Sequence, residues 1–336
     1  MAQSSNRGYA VIVVLFLAAA GYVVSTRPPW AAPILDALGA AASQTSANNP
    51  GGLEGQIAAA PRSGADAVRI ATFNLQVYGE AKASNPFVMQ RLAAIVRLFD
   101  VVAVQEIRTL DETHLQKLLA LVNAEGRQYL YVAGPRLGRT VSKEQYAYLY
   151  DATKLECDRS QIYTVEDKSD LLHREPLVAW FRVRGLPPAD AFSFTLVNFH
   201  LDPDEVDREL PLVDEVLRAV KNDGRNEDDV ILLGDFNADQ IEFAERASLP
   251  GMQWVVRDLP TNTRGSAAYD NIVFIGYDTE EYISGGVFDF VREMNLSLED
   301  ALKVSDHLPV WAEFSVVEKR PYRADSAGRF FQPPRR

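Results

Sequence analysis

Nine short, largely apolar runs, none longer than eight residues, recur through the middle of the chain: Val68–Phe73, Val101–Val104, Tyr129–Ala133, Tyr146–Tyr150, Leu177–Val183, Phe192–Phe199, Val230–Leu233, Ile272–Ile275 and Pro309–Phe314. Runs of this length, rich in Val, Ile, Phe and Tyr, read as strands. Between them, amphipathic segments over Phe87–Leu98, Asp111–Asn123, Glu205–Lys221 and Gln240–Ala247 read as helices. Asp202 and Pro203 offer the third of these a cap and a first position. Two sheets packed face to face with helices outside would use both kinds of segment. No internal period points to a repeat architecture.

Polar residues interrupt these runs at their ends. Asn74 ends the first, Gln105 and Glu106 end the second, and His200 closes the run that begins at Phe192. Asp235 and Asn237 follow Val230–Leu233 through Gly234, Asp270 and Asn271 precede Ile272–Ile275, and Asp306 and His307 precede the last run. If strand directions are mixed, the end of one strand and the start of its antiparallel neighbour share a rim. Two histidines, several carboxylates and two amides then converge there. Each residue alone has a plainer reading: Asp and Asn beside strands form turns, Glu106 pairs with Arg108, and Asp306 caps a turn before Pro309. Their convergence is what the plainer reading leaves unexplained. Of the other two histidines, His114 falls on a polar helix face and His173 beside Arg174, and both read as surface or structural.

Acidic residues outnumber basic ones by 46 to 34, for a net charge of −12. The two ends carry 9 of the basic and 5 of the acidic residues, which leaves residues 67–316 at −16. That balance excludes an extended basic surface that coats nucleic acid, but not an enzyme that engages phosphate locally. Cys157 is the single cysteine, so the chain makes no internal disulfide and no cysteine-rich zinc site. From Gly8 to Thr26 nineteen uncharged residues run between Arg7 and Arg27. At about 1.5 Å per residue a helix of that length just spans a bilayer core of roughly 30 Å. Residues 1–26 therefore read as an N-terminal membrane anchor, with a cleaved signal sequence as the rival. The expectation is a membrane-anchored protein whose folded body lies outside the cytoplasm, or a secreted one if the segment is cleaved. Residues 27–66, rich in Ala, Gly, Ser and Pro, read as a flexible linker, 67–316 as the folded domain, and 317–336 as a basic disordered tail.

The segments Ile70-Ala-Thr-Phe-Asn-Leu-Gln-Val-Tyr-Gly-Glu80, Val104-Gln-Glu-Ile-Arg108, Leu137-Gly-Arg-Thr-Val-Ser-Lys-Glu-Gln-Tyr146, Arg174-Glu-Pro176, Asn198-Phe-His200, Gly234-Asp-Phe-Asn-Ala-Asp239, Tyr269-Asp270 and Ser305-Asp-His-Leu-Pro309 follow one another in a recognisable order. In them the chain resembles the deoxyribonuclease I branch of the endonuclease/exonuclease/phosphatase superfamily, over about residues 68–316. The resemblance implies an α+β fold, a four-layered α/β/β/α sandwich of two mixed sheets packed face to face. It also implies a monomeric, divalent-metal-dependent endonuclease that hydrolyses DNA phosphodiesters with little sequence specificity.

Phosphodiester cleavage needs an in-line water, a proton for the leaving oxygen and cationic stabilisation of the phosphate. The resemblance pairs His200 with Glu144 and His307 with Asp270, so that each pair carries a proton on one side of the phosphorus. It implies Glu106 as the leading metal ligand, with Asn74 and Asp306 beside it, for Mg2+ alone or with Ca2+ or Mn2+. Asp235 and Asn237 hold a second metal or position water and phosphate, and Arg108 and Arg174 match positions that contact DNA. Three departures stand out: Ser142 replaces a tyrosine that packs against sugar, Gln240 and Ala267 replace a disulfide, and only Thr261 and Thr263 match a calcium-supported loop. The runner-up function is a membrane-tethered phosphoesterase acting on a phospholipid or a phosphorylated small molecule. A binding protein without catalysis fits less well, because every acid and histidine of the proposed site is present.

Overall fold

The computed structural model describes residues 66–140, 143–247 and 250–319. The expected anchor, most of the linker, the tail from residue 320 and Ser142 lie outside the described residues. The strands are β1 (Ala67–Tyr78), β2 (Val101–Ile107), β3 (Tyr129–Ala133), β4 (Gln145–Asp151), β5 (Leu155–Cys157), β6 (Tyr163–Thr164), β7 (Leu177–Val183), β8 (Ser193–His200), β9 (Val230–Asp235), β10 (Met252–Trp254), β11 (Asp270–Ile275), β12 (Tyr282–Val287) and β13 (Val310–Ser315). One sheet has the order β12-β13-β1-β2-β4-β3; the other has the order β10-β11-β9-β8-β7-β5, with β6 also on β7. Each sheet holds one parallel pair, β1 with β2 and β8 with β9, among antiparallel neighbours. Both are mixed, as expected.

Three apolar layers hold the sandwich. Between the sheets lie Tyr148, Tyr150, Phe181, Phe192, Phe194, Phe274 and Phe314, whose rings stack or meet edge to face at centroid separations of 4.9 to 5.8 Å. Helices Pro86–Val96 and Thr113–Asn123 cover the outer face of the first sheet through Leu92, Ile95, Leu115 and Leu118. Helix Val213–Lys221 covers the second through Val213, Val216, Leu217 and Val220. Truncating one of the inter-sheet rings to alanine would cost about 3–5 kcal/mol.

Each of the nine runs forms a strand. Those that the pattern did not show are β5, β6 and β10, of two or three residues, and β12, where Ser284, Gly285 and Gly286 replace an apolar alternation. The third helix departs from its expected form. It breaks into Val206–Glu209, a 3-10 turn at Leu210–Leu212, and Val213–Lys221, because Pro211 has no N–H for the ladder. Its start is also later than Asp202 and Pro203 imply. Asp202 Oδ1 accepts from Asp204 N at 3.0 Å, closing a turn instead of capping the helix. His114 is not on a surface: it is buried, with Nδ1 2.7 Å from Thr109 Oγ1.

Membrane anchoring is not sustained. The longest helices among the described residues have 11 residues, about 16 Å of rise against a bilayer core of roughly 30 Å. None is long and apolar enough to cross a membrane.

Candidate active site

The rim is shaped by the ends of four strands. β1 and β2 run parallel and both lose register there, between Asn74 and Tyr78 and between Val104 and Ile107. These irregularities let Asn74 reach Asp235 of the other sheet and set Glu106 beside it. Glu106 takes a left-handed backbone, φ +58°, a conformation costing about 1–3 kcal/mol in a non-glycine residue. Val77 N donates to its Oε2 at 2.8 Å and Arg108 Nη2 lies 3.1 Å from the same oxygen, which holds it there. In the second sheet the parallel register sets His200 beside Asp235. Gly234 permits that approach: its φ is +149°, and a Cβ there would stand 2.0 Å from Phe199 O.

Two histidine–carboxylate pairs face each other across Asp235. His200 Nδ1 lies 2.6 Å from Glu144 Oε1, and His307 Nδ1 lies 2.9 Å from Asp270 Oδ2. Their Nε2 atoms point at one oxygen, Asp235 Oδ2, from 3.7 and 3.6 Å. Asn74 Nδ2 donates to that oxygen at 2.9 Å and reaches Glu106 Oε1 at 3.2 Å. The sequence-selected histidines, Glu144, Asp235, Asp270, Asn74 and Glu106 are thus brought together, and Asp306 joins them with Oδ1 3.7 Å from His307 Nε2.

The electrostatics follow from burial against pairing. Burial opposes charge on both imidazoles, but Asp270 and Asp235 outweigh it at His307 and raise it to about 10, and Glu144 does the same at His200, which is also raised. Asp235 shows the complement: burial favours its neutral form, yet His307 and His200 hold it below the usual carboxylate range. At Asp270 burial wins, and its carboxyl rises to about 6. Glu144 is held low, against burial, by His200, Arg174 and Arg108.

The remaining sequence-selected residues take more specific places. Arg174 is buried, its side chain 3% exposed, with Nε donating to His200 O at 3.0 Å and standing 3.6 Å from Glu144 Oε1. In this geometry it braces the Glu144–His200 pair and offers little surface to a ligand. Arg108 is 30% exposed and spans from Glu106 to Glu144 Oε2, 3.7 Å away. Asn237 builds the turn after β9, its N donating to Asp235 Oδ1 at 3.0 Å and its Nδ2 to Leu201 O at 2.9 Å.

Two residues carry more than sequence reasoning assigned to them. Thr261 Oγ1 donates to Asp270 Oδ2 at 2.9 Å and accepts from Tyr269 N and Asp270 N, so it orients the carboxylate behind His307. Thr263 Oγ1 donates to Ser305 O at 2.8 Å. Both hydroxyls are therefore used within the rim. Lys82, which no motif marked, donates to Leu75 O and Val304 O. Burial lowers its ammonium to about 8, and Asp306 and Glu106 beside it oppose the shift. Only the juxtaposition of residues 75, 82 and 304 reveals this role.

The donor set suits a hard cation at one place. Asp306 Oδ1 is buried with no hydrogen-bond partner, and Glu106 shares its surroundings. Asn74 instead turns its amide nitrogen to both neighbouring carboxylates and bridges them. Asp235 Oδ2, ringed by three donors, suits a proton-rich site better than a second cation. His307, Asp235 and Asp270 do bring ligand atoms within 4.8 Å of one another, but the Asp270 oxygen is already bonded to the imidazole.

Comparison with known proteins agrees with this architecture. Residues 71–307 match the Endonuclease/Exonuclease/phosphatase family. The chain is 35% identical over 271 residues to deoxyribonuclease-1-like 1 of Chlorocebus aethiops, covering 76% of this chain and 87% of that protein. It is 31% identical over 277 residues to deoxyribonuclease gamma of Rattus norvegicus, covering 77% and 87%. Among solved structures, a conserved protein of unknown function from Enterococcus faecalis superposes with a TM-score of 0.54 at 17% identity, over 74% of this chain and all of that one. A family protein from Bacteroides vulgatus gives 0.52 at 18%, over 75% and 99%. The chain belongs to the endonuclease/exonuclease/phosphatase family, in its deoxyribonuclease I-like branch, and is a hydrolase of phosphodiester bonds.

Proposed function

We propose that this rim hydrolyses internal phosphodiester bonds of DNA with little sequence preference, by in-line attack of water. The observation that carries the reading is the convergence of His200 Nε2 and His307 Nε2 on Asp235 Oδ2, each imidazole backed by a buried carboxylate. One Nε2 takes a proton from the water as its oxygen bonds to phosphorus. The other gives a proton to the sugar oxygen as the phosphorus–oxygen bond breaks, so no net proton is needed. Asp235 positions both rings and the water between them. Arg108, partly exposed and flanked by Glu106 and Glu144, is the guanidinium that meets the phosphate. Arg174 keeps Glu144 in line. Magnesium, alone or with calcium or manganese, would supply Lewis-acid stabilisation of the phosphate charge, and Glu106 and Asp306 would hold it. DNA as substrate is supported by relatives named as deoxyribonucleases at 31–36% identity. The acidic body fits weak, cation-dependent grip and ready release.

The test is nicking of supercoiled DNA in magnesium, calcium, both, or chelator, alongside hydrolysis of phosphatidylinositol and a sugar phosphate. Cleavage of DNA that chelator abolishes is the expected result. Turnover confined to the lipid or sugar phosphate would replace this reading with that of another phosphoesterase.

A further inference from the structure

A second carboxylate cluster lies at the opposite rim. Asp235 ends β9 at the active site, and Asp229 immediately precedes Val230 at its other end. Six residues at about 3.3 Å each separate them by roughly 20 Å. Glu227, Asp228 and Asp229 bring one oxygen each to within 4.8 Å of one another. Glu281, just before β12, and Glu318, just after β13, act on Asp229 from the first sheet. The two sheets meet here through a short bridge between Ala191 and Val317 and a bond from Glu318 N to Asp190 O at 3.0 Å.

What separates this cluster from an ordinary acidic surface is burial without partners. Asp229 and Glu281 are both 0% exposed. Neither Asp229 oxygen makes a hydrogen bond of acceptable geometry, although the Thr279 hydroxyl stands beside it, and Glu281 Oε2 is likewise unpartnered. By contrast Glu227 Oε2 is held at 2.8 Å by both Trp180 Nε1 and Ser193 Oγ, which aims its other oxygen towards Asp229 N. Lys319 donates its backbone N–H to Glu281 Oε1 and sends its ammonium to Glu280 O. A buried carboxylate without a donor must be neutralised by a proton or by a cation.

We propose that Glu227, Asp228 and Asp229, with Glu281 from the facing sheet, bind a calcium ion that clips the two sheets together at the rim remote from catalysis. Oxygen ligands alone, all of them carboxylates, suit calcium, which accepts many oxygens in a flexible geometry. Magnesium, with bonds of about 2.0–2.1 Å, near-octahedral demands and usually only one or two carboxylates, fits this carboxylate-rich set less well. The inference is independent of what the active site cleaves, because its readouts are stability and stoichiometry.

The full chain is titrated with calcium by calorimetry, and its thermal midpoint is measured with calcium and with chelator. The expected results are a midpoint several degrees higher with calcium, and one fewer bound ion in Asp229→Asn and in Asp228→Asn. Both variants should keep nicking DNA in magnesium at 25 °C. Glu106→Gln, which alters the other rim, should retain the calcium-dependent midpoint shift. Should Asp229→Asn fail to fold, the half-buried Asp228→Asn decides. Unchanged ion count and unchanged midpoint shift in Asp228→Asn would overturn the proposal and leave shared protons as the neutralising species.

Discussion

Replacing Thr261 with valine keeps the shape of a fully buried side chain and removes only its hydroxyl. That hydroxyl donates to Asp270 Oδ2 at 2.9 Å and accepts the N–H groups of Tyr269 at 2.9 Å and Asp270 at 3.0 Å. A hydrogen bond to a carboxylate contributes about 1.5–3 kcal/mol, and each buried N–H left without an acceptor costs about 1–3 kcal/mol. The three bonds share one oxygen and relax together, so the expected loss is ~3 kcal/mol of stability. Against a usual total of about 5–15 kcal/mol, the variant should remain folded at 25 °C. Its catalysis should fall as well. Thr261 is one of the donors that favour ionised Asp270, and without it the carboxyl rises further and holds His307 less firmly. Urea unfolding gives the stability change, and single-turnover nicking of supercoiled DNA gives the rate. Thr261→Ser, which keeps the oxygen, should restore most of both. A Thr261→Val protein within 0.5 kcal/mol of the parent, an interval smaller than one net hydrogen bond of about 1 kcal/mol, and equally fast would show that Asp270 needs no such support.

Other perturbations separate the remaining roles. Gly234→Ala drives a methyl to 2.0 Å from Phe199 O in the buried β8–β9 pair, so soluble, folded protein should not be recovered, as judged by near-ultraviolet circular dichroism. Arg174→Met should lower kcat with little change in KM, because the guanidinium supports Glu144 and His200; Arg108→Met should raise KM. In chelator, thermal stability should fall as pH rises from about 5 to 9. The unfolded carboxyls titrate near 4, whereas native Asp229 and Glu318 are raised to about 10 and about 7 among Glu227, Asp228, Glu281 and Lys319. Their stabilising protons are fully present below the unfolded value and are lost towards the folded one. Differential scanning fluorimetry across that range checks it, and Asp229→Asn should flatten the slope.

Much of this was legible in the chain because the chemistry sits where apolar runs stop. His200, Asp235, Asp270 and His307 flank runs whose length and composition make them strands, and the mixed sheets then bring those ends to one rim. The gaps have physical causes. β12 carries two adjacent glycines, and a Cβ on Gly285 would stand 2.6 Å from Trp311 O, so close approach replaced the apolar alternation that marks a strand. The break at Pro211 overrode an otherwise continuous helical pattern. Thr261, Lys82 and the buried face of Arg174 act through neighbours far along the chain, which no local spacing encodes. Asp229 and Glu281 were invisible for the same reason: 52 residues apart, they meet only when the sheets close. The nineteen uncharged residues near the start promised an anchor, while the described fold holds no helix beyond 11 residues.

The central claim is that the two imidazoles act together across Asp235, and a double-mutant cycle tests it most directly. Single-turnover nicking of supercoiled DNA is measured for His200→Ala, His307→Ala and the pair, with folding checked by thermal unfolding. Each single variant should lose about 10²–10⁴ in rate. The double variant should lose far less than the product, since one broken proton path already disables the other. Either single variant cleaving at the parental rate, or losses that multiply in full, would contradict a site in which His200 and His307 work as one unit.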